Sequence, residues 1–359
     1  MNFRFQEPRF LSWLPFVVIG LLFIVWYSSP DFAEPAHNDR FLAFGTLMDI
    51  NIVGVNKALS TKAIAQLEKD FEKMHHLWHA WNPGPLGRVN LLLTEGKEFS
   101  APTSVLPLIK TGQELSEKSD HLFNPAIGKL INLWGFQDDN FDSKKPPMDE
   151  EIEALVKLNP RMSDIHINDF RLSTNNSAVK LDFGAFGKGV GIDRAIEKLK
   201  SMGIENAILN AGGDLRAIGS RDGKPWRIAI KRPSGTGVLG IIETNKDESI
   251  FTSGDYERNY TYDDTSYHHI LDPRTGYPAK GVLSVTVIHS NATTADAAAT
   301  ALFIAGPKDW HRIAKKMGVK FVLLIDSAGT LHMNPAMQNR IKLLQTDYQV
   351  NISAPLTST

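Results

Sequence analysis

Asp296 and Thr300 stand four residues apart in Thr293-Thr-Ala-Asp296-Ala-Ala-Ala-Thr300. On a helix they share one face, among alanines small enough to let a partner approach. Hard oxygen groups of this type suit Mg²⁺, which takes one or two carboxylates and fills its shell with phosphate oxygens and water. A simple helix-start charge is the structural alternative. In Asp182-Phe-Gly-Ala-Phe-Gly-Lys-Gly-Val-Gly-Ile-Asp193 a glycine-rich turn runs from a strand into a helix. Backbone N–H groups and Lys188 could hold an anion there. The spacing matches neither a Walker A loop nor a dinucleotide fingerprint, so a phosphate cradle and a tight structural turn both stay open.

Two further clusters carry polar chemistry. Asn210-Ala-Gly-Gly-Asp214-Leu-Arg216 is a strand end followed by paired glycines and a carboxylate, which also reads as a hairpin with a solvated Asp. Ser253-Gly-Asp-Tyr-Glu-Arg258 is followed by Tyr267-His-His-Ile-Leu-Asp-Pro-Arg-Thr-Gly-Tyr-Pro278, where His269, Asp272, Arg274 and Thr275 crowd into seven residues. That density suits acid–base work beside an anionic substrate, with a hydrogen-bonded surface loop as the alternative. A phosphate cradle, a Mg²⁺ pair and a His loop together predict chemistry on a phosphoanhydride. His75, His76 and His79 imitate a metal cluster, but HHLWH lacks the Glu of a zincin motif and no later ligand group has matching spacing.

These groups need elements to hold them. Positions 40–54 alternate like a strand, and 60–78 sets Ile64, Leu67, Phe71, Met74 and Trp78 at helical spacing. Further helices are predicted over 104–118, 149–158, 191–202 with a left-handed cap at Gly203, 294–305 and 308–317. Strands are predicted over 178–183, 207–209, 226–230, 238–244, 283–289 and 320–325, and 138–148 reads as a polar surface loop. Helices and strands interleave throughout, so the fold class is mixed α/β.

The chain has 359 residues, with 39 Lys+Arg against 40 Asp+Glu, a net charge of −1 that argues against a nucleic-acid partner. It has no cysteine, which excludes disulfides, thiolate metal sites, a cysteine nucleophile and attachment through an acylated cysteine. Phe10 to Pro30 carries no charge over about twenty residues, enough for a membrane span. Arg4 and Arg9 precede it while Asp31 and Glu34 follow, so the positive-inside rule puts 1–9 in the cytoplasm and the rest outside. A cleaved signal peptide is the competing reading, set against a poor cleavage site at Ala33 and a long apolar run. The expected organisation is a cytoplasmic start at 1–9, an anchor at 10–30, a linker at 31–40, one domain at 41–345 and a tail at 346–359.

Phe44-Gly-Thr46, Trp81-Asn-Pro, Arg88-Val-Asn90, Phe123-Asn-Pro, Leu133-Trp-Gly-Phe136, the Asp182–Asp193 loop, Gly212-Gly-Asp214, Ser253–Arg258, His269–Gly276 and Ala295–Thr300 follow one another in an order that resembles the ApbE family. The resemblance spans Phe41 to Leu344. It implies an ApbE-type flavin transferase fold with a T-fold-like core, preceded here by one transmembrane helix. It further implies a Mg²⁺-dependent FAD:protein FMN transferase that uses FAD as substrate, joins FMN by a phosphoester to a Thr of an exported flavoprotein and releases AMP. Acceptors would be subunits of membrane redox complexes, and the catalytic domain would sit on the periplasmic side of the inner membrane.

Residue by residue, the resemblance puts metal ligands at Asp296, Thr300 and the backbone carbonyl of Gly187, where the family usually has Ala. FAD would lie along Gly184 to Lys188, Gly212, Gly213 and Asp214, and the Ser253-Gly254-Asp255 turn, with Phe44 and Trp81 as aromatic walls. His269 is the candidate base for the acceptor hydroxyl, with Asp272 orienting it or shaping its loop. Departures fall at Asn124, Ala126, Lys129 and Gly87, where the family commonly has Asp, Thr, Pro and Ser, and they bear on FAD contact on that side. An FAD diphosphatase with water as acceptor and a non-catalytic anchored FAD-binding protein are the alternatives.

Overall fold

Strand alternation decides the architecture, because it gives one long sheet two buried faces. The computed structural model describes residues 36–137, 144–233, 236–345 and 348–356. The predicted anchor at 10–30 and most of the predicted loop at 138–148 lie outside them. No helix among the described residues is long and apolar enough to cross a membrane.

The main sheet has nine strands: β1 (His37–Ala43), β2 (Thr46–Val53), β3 (Asn206–Ala211), β4 (Asp214–Ile218), β5 (Asp247–Gly254), β6 (Val282–His289), β7 (Phe321–Asp326), β8 (Leu331–Met333) and β9 (Val350–Ile352). Their order in the sheet follows their order in the chain, antiparallel throughout except for the last pair. Side chains alternate between two cores. On β7, Val322 and Leu324 face a helical layer, whereas Leu323 and Ile325 face a small sheet of Arg227–Lys231, Val238–Glu243 and Ile341–Leu343. On β5, Phe251 belongs to the first core and Ile250 to the second.

Three helices of that layer bear on the site, beside Pro85–Thr94 and Leu106–Lys118, which share its core. In α1 (Lys57–Trp78) the predicted stripe of Ile64, Leu67, Phe71, Met74 and Trp78 is buried. In α2 (Gly187–Ser201) Ile192, Ala195, Ile196 and Leu199 face inward, and Gly203 closes the C-terminus with a φ of 79°. In α3 (Ala292–Lys316) the buried alanines lie on β5 and β6. The two helices predicted over 294–305 and 308–317 form one line broken at Gly306, whose φ of 71° precedes Pro307.

Three sequence expectations are corrected. Positions 40–54 are a hairpin, with Phe44 and Gly45 both at positive φ (51° and 71°), the pattern of a two-residue type I′ turn. Positions 178–183 are not a strand of any sheet; they run beside 125–128 through Gly128 N to Lys180 O (2.8 Å), Lys180 N to Ala126 O (3.1 Å) and Asp182 N to Pro125 O (2.9 Å). Finally, α2 starts at Gly187, so Gly187, Lys188 and Gly189 form its first turn rather than a loop. Close packing makes glycine necessary there: a Cβ on Gly189 would lie 2.5 Å from the carbonyl oxygen of Ala292.

Candidate active site

The first turns of α2 and α3 meet at the end of the β3–β4 hairpin. Ala211 pairs with Asp214 across Gly212 and Gly213, both at positive φ (66° and 112°). A Cβ on Gly212 would come within 2.4 Å of the Thr46 hydroxyl, so this glycine is required by space as well as by conformation. The hairpin predicted at this position is present, but Asp214 is not solvated. It is 5% exposed, forms an ion pair with Lys188, and accepts a hydrogen bond from Thr252 N (2.9 Å).

Asp296 projects from the second turn of α3 into the same place. It is 6% exposed, and the one hydrogen bond it makes among the described residues is accepted from Gly189 N (2.8 Å). Thr300 lies one turn further on, its hydroxyl 3.5 Å from that of Ser253 at the end of β5. Gly254 ends β5, and a Cβ there would strike the Tyr256 ring at 2.6 Å; the next amide, of Asp255, donates to Leu283 O (3.1 Å).

Charge in this cluster is unbalanced. Burial raises the Asp296 pKa well above the ordinary carboxylate value, and Asp214 and Glu257 add to it while Lys188 opposes. Desolvation pushes Glu257 up to about 7, with Asp214 contributing and Lys188 opposing. Burial alone would depress Lys188, yet Asp214, Asp296 and Glu257 hold its pKa above the usual lysine value. Three carboxylates therefore surround one ammonium. Asp214 and Asp296 are buried and Glu257 is exposed; two buried carboxylates, one of them incompletely hydrogen-bonded, beside a hydroxyl fit a divalent cation with oxygen ligands. Gly187, the third residue the resemblance assigns to the metal, opens α2 one position before Lys188. Among the described residues no three His, Cys, Asp or Glu are grouped to hold a metal ion, so a cation at Asp296 would draw most of its shell from a hydroxyl, main-chain oxygen, substrate and water.

His269 follows the short strand Thr265–His268, its N–H bonded to Arg258 O (3.0 Å) and its Nδ1 3.2 Å from the same carbonyl. Burial and the Arg258 guanidinium pull its pKa down to about 3, so the ring is neutral at pH 7. Its neighbour His268 is committed elsewhere, with Nε2 2.8 Å from Ala279 O and the ring against Phe303. Of the two roles expected for Asp272, the structure places it in the loop. It holds Arg274 through an ion pair (2.7 Å) and accepts from Arg274 N (2.9 Å), while Arg274 Nη2 reaches Ile304 O of α3 (3.2 Å). No hydrogen bond joins Asp272 to His269 among the described residues.

The two aromatic residues are held separately. Trp81 Nε1 donates to Asp182 (3.0 Å), which also accepts from Gly184 N (2.7 Å), and Lys180 Nζ lies 3.8 Å from the centre of the Trp81 ring. Burial raises the Asp182 pKa against those two hydrogen bonds. Phe44 stacks on Trp78 with 6.0 Å between ring centres and packs beside Gly191 in α2. His79 is structural: its Nδ1 accepts from Trp81 N (3.2 Å) and Asn82 N (3.1 Å). Asp182, Asp193, Arg216 and Glu257 lie within the sequence motifs, but only their tertiary partners reveal what they hold.

The ApbE family model matches residues 44–323. An FAD:protein FMN transferase of Rhodobacter capsulatus is 37% identical over 345 residues, covering 95% of this chain and 63% of that protein. The chain thus spans less than two thirds of that relative's length. An FAD:protein FMN transferase of Vibrio cholerae is 34% identical over 239 residues, 65% of this chain and 70% of the relative. Among solved structures, the ApbE protein of Thermotoga maritima superposes with a TM-score of 0.79 at 33% identity over 85% of this chain and 99% of its own. The flavin transferase ApbE of Vibrio cholerae gives 0.73 at 28% identity over 85% and 100%.

Proposed function

The chain belongs to the ApbE family, and from that premise we propose that it is an FAD:protein FMN transferase. The reading is carried by one observation: Asp214, Asp296 and Glu257 surround Lys188 where two helix N-termini meet, with Thr300 and Ser253 alongside. Asp296, Thr300 and the Gly187 carbonyl would hold Mg²⁺, which supplies charge neutralisation at the diphosphate of FAD and on the leaving AMP. Lys188 would pair with the same diphosphate; the neighbouring amides of Gly187, Gly189 and Val190 are already bonded to Phe183 O, Asp296 and Phe186 O.

The transfer breaks the phosphoanhydride bond of FAD and forms a P–O bond from FMN to an acceptor Thr hydroxyl. AMP leaves with the electron pair, and the hydroxyl proton goes to His269. With Nδ1–H donating to Arg258 O, Nε2 is left as the accepting nitrogen. Asp272 acts through its grip on Arg274, which fastens the His269 loop to α3. Phe44 and Trp81 are assigned as walls for the flavin, and Gly184, Gly212, Gly213, Gly254 and Asp255 as the surfaces along which FAD lies.

Acceptors are flavoprotein subunits of membrane redox complexes. The segment at 10–30 anchors the chain in the inner membrane as a single span, with the catalytic domain on the periplasmic side, a reading that rests on its apolar length and flanking charges. The test incubates the protein with FAD, Mg²⁺ and candidate acceptor domains, read by in-gel flavin fluorescence and AMP release, with Asp296→Ala as control. Covalent flavin on the acceptor is the expected result. FMN and AMP without covalent flavin would instead identify a diphosphatase, and neither product would leave only FAD binding.

A further inference from the structure

Asp193 lies in the second turn of α2, and its carboxylate accepts five hydrogen bonds. Arg216 Nη1 of β4 donates at 2.5 Å; the other four come from the start of α3: Asn291 Nδ2 (2.6 Å), Ala292 N (2.8 Å), Thr293 N (2.9 Å) and Thr293 Oγ1 (2.7 Å). Helix α3 already has its own N-cap, since Asn291 Oδ1 accepts from Thr294 N (2.8 Å). Asp193 therefore satisfies the orphan amides that this cap leaves open, and puts a negative charge at the positive end of the helix.

The attachment has a consequence for geometry. Four residues before Asp193, Gly189 N donates to Asp296, and Gly189 touches the Ala292 backbone so closely that no Cβ fits. Hydrogen bonds tie α3 to α2 at two places, Gly189 and Asp193, and Asp296 and Thr300 lie on the two turns that follow. Arg216 braces the arrangement from the sheet, bonded to Asp247 through Nε (2.8 Å) and Nη2 (2.9 Å) while holding Asp193.

We infer that Asp193 is a positioning residue for the cation site: by clamping the N-terminus of α3 to α2 it sets where Asp296 and Thr300 stand, and so sets divalent-cation affinity. This rests on the metal role proposed above for Asp296 and Thr300. Outer-shell groups that orient ligands typically change metal affinity by about 10–100-fold when removed.

The test uses the full chain without FAD. Mn²⁺ and Mg²⁺ affinities are measured by calorimetry, and amide hydrogen exchange is followed across 292–300, for Asp193→Ala, Asp193→Asn, Thr293→Val and Asn334→Ala. Asn334 is a buried control away from the site, bonded to Val322 N (3.2 Å) and Lys320 O (2.7 Å). Both Asp193 variants should weaken Mn²⁺ binding about tenfold or more and speed exchange at 292–300. The Asn variant gains nothing from its matching shape, because its NH₂ faces donors. Thr293→Val, which removes one bond of five, should weaken binding less than either Asp193 variant. Asn334→Ala should lower the melting temperature while leaving affinity and exchange at 292–300 unchanged.

Wild-type affinity in folded Asp193→Ala, or equal weakening in Asn334→Ala, would overturn the inference. If the unaltered protein binds neither cation, the proposed metal role itself fails. Exchange then decides whether Asp193 positions α3 at all, and unchanged exchange overturns that as well.

Discussion

Replacing Asp296 by Asn should make the cation-free protein more stable and the cation-loaded protein less stable. In the folded chain the carboxylate is buried beside Asp214 and Glu257, and its pKa lies well above the ordinary value. Such a group favours folding below its unfolded pKa, and loses that contribution as pH rises through the folded pKa. Asn removes the buried charge and retains an oxygen for Gly189 N–H. Relief of an active-site charge of this kind returns about 1 kcal/mol, or roughly 2–3 °C in a domain of this size. Mg²⁺ at a hundred times its Kd adds about 2.7 kcal/mol to the wild type, and to the wild type alone. The two melting curves should exchange order between EDTA and Mg²⁺, and the gain from Asn in EDTA should shrink as pH falls from 8 to 5. Thermal melts across that grid measure all of this. A variant that melts below wild type in EDTA at pH 7, or that gains as much from Mg²⁺, would refute the electrostatic reasoning.

Gly189→Ala forces a methyl to within 2.5 Å of the Ala292 carbonyl oxygen; it should cost about 3 kcal/mol in urea unfolding and weaken Mn²⁺ binding with it. His269→Gln should leave FAD affinity, measured by flavin fluorescence, near wild type while lowering transfer by about 10²–10⁴-fold. The same variant tests the depressed pKa. A His that falls from ~6.5 unfolded to about 3 folded loses stability as pH drops through that window. For a ring that is only partly buried the loss is about 2 kcal/mol, and the variant should lack it in acid titrations followed by circular dichroism. Arg216→Met strands Asp193 and Asp247 beside an apolar side chain and should destabilise by about 3 kcal/mol in the same urea assay.

Period-based reading recovered α1 with its buried stripe, the strands near 207–209, 283–289 and 320–325, and the break at Gly306-Pro307, because local sequence decides these. It failed where tertiary contact decides. The segment 178–183 has strand-like composition, but its backbone bonds go to 125–128, an irregular segment distant in the chain. Strands β4 and β5 escape a reading by period because Asp214, Arg216 and Asp247 interrupt their apolar pattern; Asp214 and Arg216 are buried, and Asp247 half-buried, through pairing with Lys188, Asp193 and Arg216. The candidate site was legible as residue types at suggestive spacings. Its organisation was not, since the helix start at Gly187 depends on close backbone packing at Gly189 and on α3.

Asn124 and Ala126, where the resemblance implies Asp and Thr in the family, fit this same picture. Both residues are buried, and Asn124 spends its side chain on Pro160 O (2.8 Å) and Ala126 N (3.1 Å) rather than on a ligand surface. What this segment delivers to the site is backbone: Pro125 O accepts from Asp182 N, and Ala126 O from Lys180 N. Those two bonds set the line on which Asp182 meets the Trp81 indole and Lys180 lies over its ring. The positions of Asp182, Lys180 and Trp81 therefore do not depend on the side chains at 124 and 126, because main-chain pairing carries the geometry. The prediction that separates this from a direct ligand role is Asn124→Asp. Restoring the family carboxylate places a charge in a buried pocket where the amide now donates to Pro160 O, so it should lower stability by about 1–3 kcal/mol without tightening FAD binding. Tighter FAD binding in that variant would show that the segment touches the ligand through its side chains.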